Sequence, residues 1–209
     1  MKRVCALLRI SVHRVRRWQR RWDITYCHTN VKGIFLYLYT LLNEYSRKVI
    51  SWRISWRMTH KEGMELQEGL ENEGLDDIDV RLPDLINDRG TQMNAKAFMK
   101  MCKDLGIAQK FARPRNPNDN PFIESLFLIV KGYARYPDAF VDDIEAIAYF
   151  SVFFDFYNNR YHGRIGFVTP NQRHTGVDKK IIEKRKSGMI NARKQRIEIN
   201  REKSVLQNV

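Results

Sequence analysis

Ile86-Asn87-Asp88-Arg89-Gly90 and Asn118-Asp119-Asn120-Pro121-Phe122-Ile123-Glu124-Ser125 bracket a segment that alternates strand, helix and loop signals between two acids, Asp88 and Glu124. Leu85-Ile86-Asn87 reads as a strand that delivers Asp88 at its C-terminal end, where open α/β sheets gather their active groups. Arg89-Gly90 turns the chain, because glycine tolerates the backbone angles of a sharp turn. Asn94 then caps a helix whose Phe98, Met101, Cys102 and Leu105 recur at helical spacing, and Gly106 ends it. Ile107 to Ala112 is a further strand. Arg113 to Pro121 holds three prolines, three asparagines and two arginines. That composition excludes a helix or a central strand and predicts a loop. Pro121 suits the first turn of a new helix. On it Ile123, Phe127 and Val130 face inward with Leu126 beside them. Glu124, Leu128 and Lys131 share the other face at i, i+4 and i+7.

Outward from this stretch, Asp23 sits in Trp22-Asp23-Ile24-Thr25-Tyr26, read as a first strand with alternating Ile24 and Tyr26. Ile34 to Leu42 is a nearly unbroken apolar run of strand length, which predicts a central strand buried on both faces. Ile50, Trp52, Ile54 and Trp56 alternate with Ser51, Arg53, Ser55 and Arg57, the period of a strand with one wet face. Thr59-His60-Lys61-Glu62 is a capping box, and a helix to about Glu73 follows. Downstream, Gly132 and Pro137 stop the Glu124 helix. Residues 142–158 read as an aromatic-rich helix whose rings belong in a core. Arg160, His162 and Arg164 follow in a polar loop. Thr169-Pro170 is a cap plus first-turn proline that starts a last helix. Residues 179–203 form a charged helix and basic tail.

Apolar residues make up 43% of the 209, enough for one sizeable α/β domain with short extensions. No apolar run reaches the roughly 18 residues of a membrane span, and no secretory signal pattern follows the basic N-terminus. Cys5, Cys27 and Cys102 are widely spaced and form no Cys-x-x-Cys pair, so they read as idle thiols rather than a disulfide or zinc framework. The net charge is +13. Residues 1–21 carry eight Lys/Arg and no acids, and residues 179–209 carry ten Lys/Arg and three acids, which leaves the middle at −2. A near-neutral core with basic ends suits a partner that is a polyanion such as DNA. Solvated, solubilising tails are the plainer alternative.

Asp23, Asp88 and Glu124 are hard oxygen donors on three separate elements, as divalent-cation phosphodiester chemistry requires. Spacing alone leaves them as ordinary surface acids. The flanking residues change that. Trp22-Asp23-Ile24-Thr25, Glu44-Tyr45-Ser46-Arg47-Lys48, Asn87-Asp88-Arg89-Gly90, Asn118-Asp119-Asn120-Pro121 and Ile123-Glu124-Ser125 resemble the integrase catalytic core of bacterial insertion-sequence transposases. Phe156-Tyr157-Asn158, Arg160, His162, Gly166, Thr169-Pro170 and Gln172-Arg173-His174 continue the resemblance in order to about residue 200.

The resemblance implies a ribonuclease-H-like α/β fold: a mixed five-stranded sheet with helices on both faces. It implies an Asp, Asp, Glu triad at Asp23, Asp88 and Glu124, holding Mg²⁺ or Mn²⁺, two ions per site. It implies DNA strand cleavage and strand transfer on element ends and target DNA, by at least a dimer, in the cytoplasm. Arg113, Arg115, Asn120, Lys131, Arg160 and His162 are the expected DNA contacts. Residues 1–21 then read as the remains of an N-terminal DNA-binding region, with a plain basic helix as the equal alternative. Residues 22–175 are the catalytic core and residues 176–209 a basic tail. Asn43 stands where the family usually has Asp, so the turn before Tyr45-Ser46-Arg47 is expected to differ. Two other readings stay open: a catalytically inactive DNA-binding remnant, and a nuclease that cuts without joining.

Overall fold

A computed structural model describes residues 20–57, 85–87, 96, 99–100, 103, 109–111 and 121–206. The chain divides into two compact units, Met1–Asn158 and Asn159–Val209.

The first unit is built on a sheet. Strands β1 (Arg20–His28), β2 (Phe35–Asn43) and β3 (Val49–Ser55) form an antiparallel meander. β4 (Leu85–Asn87) and β5 (Gln109–Phe111) extend it in parallel, giving the order β3-β2-β1-β4-β5. The apolar run predicted a doubly covered strand, and β2 is buried at Leu36 and from Leu38 through Asn43. In β3, Ile54 is buried and Trp52 packs on Phe150 and Phe154 at centroid distances of 6.2 and 5.5 Å. Trp56, read as the last residue of the alternating pattern, lies past the strand end and is exposed. The alternation of a strand predicts burial only as far as the pleat continues.

The turn between β2 and β3 is built by the side chain expected to disturb it. Buried Asn43 accepts from the Ser46 N–H at 2.8 Å and the Ser46 hydroxyl at 3.0 Å through Oδ1. Its carbonyl accepts from the Arg47 N–H at 2.8 Å, and its own N–H donates to the Lys48 carbonyl at 2.9 Å. An amide oxygen does here what a carboxylate oxygen would do, so the Asp-to-Asn departure leaves these bonds available. The turn forces Arg47 to φ 65. That left-handed conformation costs a residue with a Cβ roughly 1–2 kcal/mol.

Two helices cover one face. α1 (Pro121–Lys131) begins on its proline and ends before Gly132. Ile123, Leu126 and Val130 are buried, while Phe127 is only half-buried; Leu126 takes the inward position expected of Phe127. α2 (Asp143–Asn159) supplies Phe150, Phe153, Phe154 and Tyr157 to the same core, joined by Cys27, Leu36, Leu38 and Leu42 from the sheet. Phe156 is exposed. Asn158, at the end of α2, pairs with Val49 as a strand would: its amide donates to the Val49 carbonyl and accepts from the Val49 N–H, both at 2.9 Å. β3 is the sheet's edge, and this side chain occupies part of its open hydrogen-bonding rim.

The second unit is helical. Thr169 caps α3 (Pro170–Thr175) and Pro170 stands in its first turn, as expected; the structure adds Gln172, which completes a capping box with Thr169. α3 stops at Gly176, φ 83, which closes its C-terminus, and the charged helix expected over residues 179–203 follows as α4 (Asp178–Leu206). Arg173 donates to the Ile165 carbonyl at 3.1 Å, and Arg185 donates to the Phe167 carbonyl at 2.5 Å. These bonds hold the 160s loop against the two helices. Apart from buried Asp178 at its start, the acidic and basic side chains described in α4 are exposed. No helix among the described residues is long and apolar enough to cross a membrane.

Candidate active site

β1 places Asp23. Side chains of a strand alternate, so Asp23 shares a face with Thr25 and Cys27. Cys27 is buried in the core with Ile123, Leu126 and Val130 of α1. Asp23 therefore points to the face that α1 covers, and it is half-buried. Its Oδ1 accepts from the Ile24 N–H at 2.9 Å, which orients the carboxylate. Directly across the antiparallel pair stands Thr40. Thr40 is fully buried, and its hydroxyl has no hydrogen-bond partner among the described residues. Cross-strand partners lie about 5 Å apart at Cβ, so this polar atom neighbours Asp23.

α1 places Glu124 in its first turn, exposed, where the helix dipole favours an acid. Two contacts fix the direction of α1. At its start, the Arg47 guanidinium lies 3.2 Å above the Phe122 ring, and Arg47 belongs to the turn after Asn43, the residue paired with Arg20. At its end, the Lys131 ammonium lies 4.5 Å from the centroid of Tyr26. α1 thus runs alongside β1 in the same sense, from the Arg20 end to the Tyr26 end. Asp23 and Glu124 both lie between these two anchors. Lys131 is two turns from Glu124 on the same stripe, and that stripe reaches β1.

Asp88 lies outside the described residues. Asn87, the residue before it, ends β4, which pairs in parallel with β1 through Arg20↔Leu85 and Arg21↔Ile86. Asp23 and Asp88 follow the first paired couple by equal offsets in sequence (23 − 20 = 88 − 85 = 3). Among the described residues, which include Asp23 and Glu124, no three His, Cys, Asp or Glu side chains form a group that could hold a metal ion.

Of the expected DNA contacts, Arg113, Arg115 and Asn120 lie outside the described residues. Lys131 is exposed at the end of α1. Arg160 is exposed, and half-buried His162 forms a bridge with Val168; both belong to the second unit. The expected capping box at Thr59 and the helix to Glu73 also lie outside the described residues.

Below Asp23 the face is dry. Cys27 and Tyr136 are hydrogen-bonded, and burial pushes both the Cys27 thiol and the Tyr136 hydroxyl up, so both are neutral. Cys27 is the buried, free thiol that its sequence context predicted. Sequence reading gave no structural role to three residues: Thr40, across from Asp23; Arg47, stacked on Phe122; and Asn158, bonded to Val49. Thr40 was hidden inside an apolar run. Arg47 and Asn158 stand in recognisable motifs, but their partners are remote in sequence.

The Integrase core domain family matches residues 13–117, half of the chain. That span contains Asp23 and Asp88 and ends before Glu124. The protein of Escherichia coli (strain K12) named as transposase InsK for insertion sequence element IS150 is 26% identical over 141 residues, 67% of this chain and 48% of that protein. The chain thus spans about half the length of this curated relative. Among solved structures, the catalytic core domain of BIV integrase superposes with a TM-score of 0.56 at 20% identity, covering 78% of this chain and 97% of that one. A chain of the simian T-cell lymphotropic virus intasome gives 0.59 at 21% identity, over 76% of this chain and 54% of that one. The HTLV-2 integrase catalytic core domain in complex with magnesium gives 0.53 at 15% identity, over 76% and 96%. These similarities assign an α/β, ribonuclease-H-like fold, and by the match over half its length the chain belongs to the Integrase core domain family.

Proposed function

We propose that the chain is a transposase core that cuts and joins DNA strands by metal-dependent phosphoryl transfer, with Asp23, Asp88 and Glu124 as its carboxylates. The observation that carries this is the course of α1 along β1, shown by the Arg47–Phe122 and Lys131–Tyr26 contacts and by the core that α1 shares with Cys27; it supports a site between the helix that bears Glu124 and the strand that bears Asp23. β4, ending one residue before Asp88, neighbours β1 and supports the third position. Membership of the integrase core family supports the reaction class.

The donor set fits the metal. Carboxylate oxygens are the hard ligands that Mg²⁺ and Mn²⁺ take, and the register sets across from Asp23 a buried Thr40 hydroxyl that has no partner among the described residues. Asp23 and Asp88 would hold the ions and Glu124 would complete the set. Two bound ions supply Lewis-acid polarisation of the phosphate and an activated water. The Ile24 N–H holds the Asp23 carboxylate in place, and α1 holds Glu124 at a helix start. Water breaks a phosphodiester at the element's end and leaves a 3′-hydroxyl. That hydroxyl then attacks a target phosphodiester, joining one strand and releasing another. Neither step needs a side-chain nucleophile or a covalent protein–DNA intermediate.

Further parts of the reading rest on this one. The complete core, residues 22–175, has a mixed five-stranded sheet with helices on both faces. Residues 1–21 and 176–209 flank it as basic DNA-binding segments. Arg113, Arg115, Asn120, Lys131, Arg160 and His162 touch DNA, and the working form, in the cytoplasm, is at least a dimer on two DNA ends. A strand-transfer assay with Mg²⁺ and a 3′-labelled element end tests the whole. Cleaved and joined products are expected. Cleavage without joining would mark a nuclease, and DNA binding with neither product would mark an inactive DNA-binding protein.

A further inference from the structure

We propose that Arg47 is a positioning residue for Glu124: its guanidinium, stacked on Phe122, clamps the first turn of α1 and so fixes the carboxylate two residues on. The inference rests on the reading of Glu124 as a ligand.

Four observations converge on Arg47. Its guanidinium carbon lies 3.2 Å above the Phe122 ring centroid, well inside cation–π range. Phe122 is the second residue of α1, in the turn that also bears Glu124. Arg47 is held on its side by a turn it enters at φ 65, anchored by its N–H on the Asn43 carbonyl and by the Asn43–Ser46 bonds. Its charge is also felt by the Tyr157 hydroxyl of α2, so the guanidinium sits near both helices.

The first turn of a helix needs such a clamp. Its amides have no partners within the helix, and it frays first. Pro121 pre-sets one backbone angle there but donates no hydrogen bond. Phe122 is 37% exposed, so burial alone does not hold it. The residues before Pro121 have loop composition. Arg47 reaches Phe122 from the β2–β3 turn, which is tied to β1 through the Arg20↔Asn43 pair. The clamp therefore references Glu124 to the strand that carries Asp23. A planar guanidinium suits the role because it stacks while keeping its in-plane donors for other partners.

The decisive variant is Arg47→Gly. Glycine adopts positive φ without strain, so the turn survives while the stacked group is removed. Three readouts follow. Hydrogen exchange at Ser125, Leu126 and Phe127, the first amides bonded within α1, should speed up about tenfold relative to Val130, the scale of a desolvated cation–π contact. Mn²⁺ titration followed by electron paramagnetic resonance should show binding about tenfold weaker. Strand cleavage should need correspondingly more Mg²⁺, with the rate at saturating Mg²⁺ largely restored. Arg47→Lys should recover part of each effect, and Phe122→Leu should reproduce the loss without touching the turn. Unchanged exchange and unchanged Mn²⁺ affinity in both Arg47→Gly and Phe122→Leu would overturn the clamp. Glu124→Gln run in parallel separates the two ideas. If that variant is inactive while the clamp variants behave as wild type, the clamp is wrong and the ligand reading stands. If Glu124→Gln cleaves as wild type does, the ligand reading fails and takes the clamp's purpose with it.

Discussion

Glu124→Gln should abolish strand cleavage and transfer while leaving fold and DNA binding nearly intact. The substitution conserves size and removes one charge. Glu124 is exposed on the α1 face opposite Ile123, Leu126 and Val130, so no core volume changes. The loss to stability is the acid's interaction with the helix dipole, about 0.3–1 kcal/mol in a first turn. For a chain of this size that moves Tm by at most about 4 °C. Catalysis responds on another scale. Metal-assisted stabilisation of the transition state is worth several kcal/mol. Each roughly 1.4 kcal/mol lost is tenfold in rate, so a fall of at least about a hundredfold is expected. DNA affinity should hold or rise, because a negative charge near the phosphates is gone. The assay pairs thermal melting and DNA binding with Mg²⁺-dependent cleavage of a labelled element end. A variant that cleaves as fast as an active wild type would refute the assignment of Glu124. A variant that loses cleavage together with about 10 °C or more of Tm would show that the side chain acts through the fold instead.

Other outcomes follow from the geometry. Deleting residues 179–209 removes ten Lys/Arg and three acids and should flatten the salt dependence of DNA binding, by about 0.9 in log–log slope for each phosphate no longer neutralised; an unchanged slope would make α4 a solvated helix. Asn158→Ala strips both bonds from Val49 and should cost about 2 kcal/mol by urea unfolding, with β3 amides exchanging first; wild-type stability would show that water replaces the side chain without loss. Gly166→Ala places a Cβ at φ 86, 2.9 Å from the Ile182 Cδ1, and should lower the stability of the second unit by roughly 1–2 kcal/mol, read by thermal melting. Burial pushes the Tyr157 hydroxyl up to about 12 from 10.0, and the nearby Arg47 charge only partly opposes it. The unfolded chain therefore loses that proton first, so this stability is complete below pH 10 and is lost as pH rises toward 12; Tyr157→Phe should flatten the alkaline melting profile.

The amino-acid sequence determined what is local. A nearly unbroken apolar run makes β2 a strand buried along most of its length, as a strand covered on both faces is. Thr169, Pro170 and Gln172 start α3 because cap, fixed φ and reciprocal hydrogen bonds all lie within four residues. Gly132 and Pro121 bound α1 for equally local reasons. The periodicity of α1 also put Glu124 and Lys131 on one stripe. It misjudged Phe127 and Leu126, because the angular width of a buried face depends on what packs against it.

How α1 runs relative to the sheet depends on contacts between remote segments. The Arg47–Phe122 and Lys131–Tyr26 contacts orient α1 along β1, and each joins residues whose sequence positions imply no meeting. Asn158 and Val49 are 109 residues apart, and nothing in either segment names the other. Thr40 reads as one polar residue in an apolar strand until register sets it across from Asp23. The physical reason is common to all four. Caps, turns and periods are encoded by neighbours along the chain, whereas a site is made by register and helix direction. Those are settled by the joint burial of remote apolar faces, and the polar residues that build the site are carried into place with them.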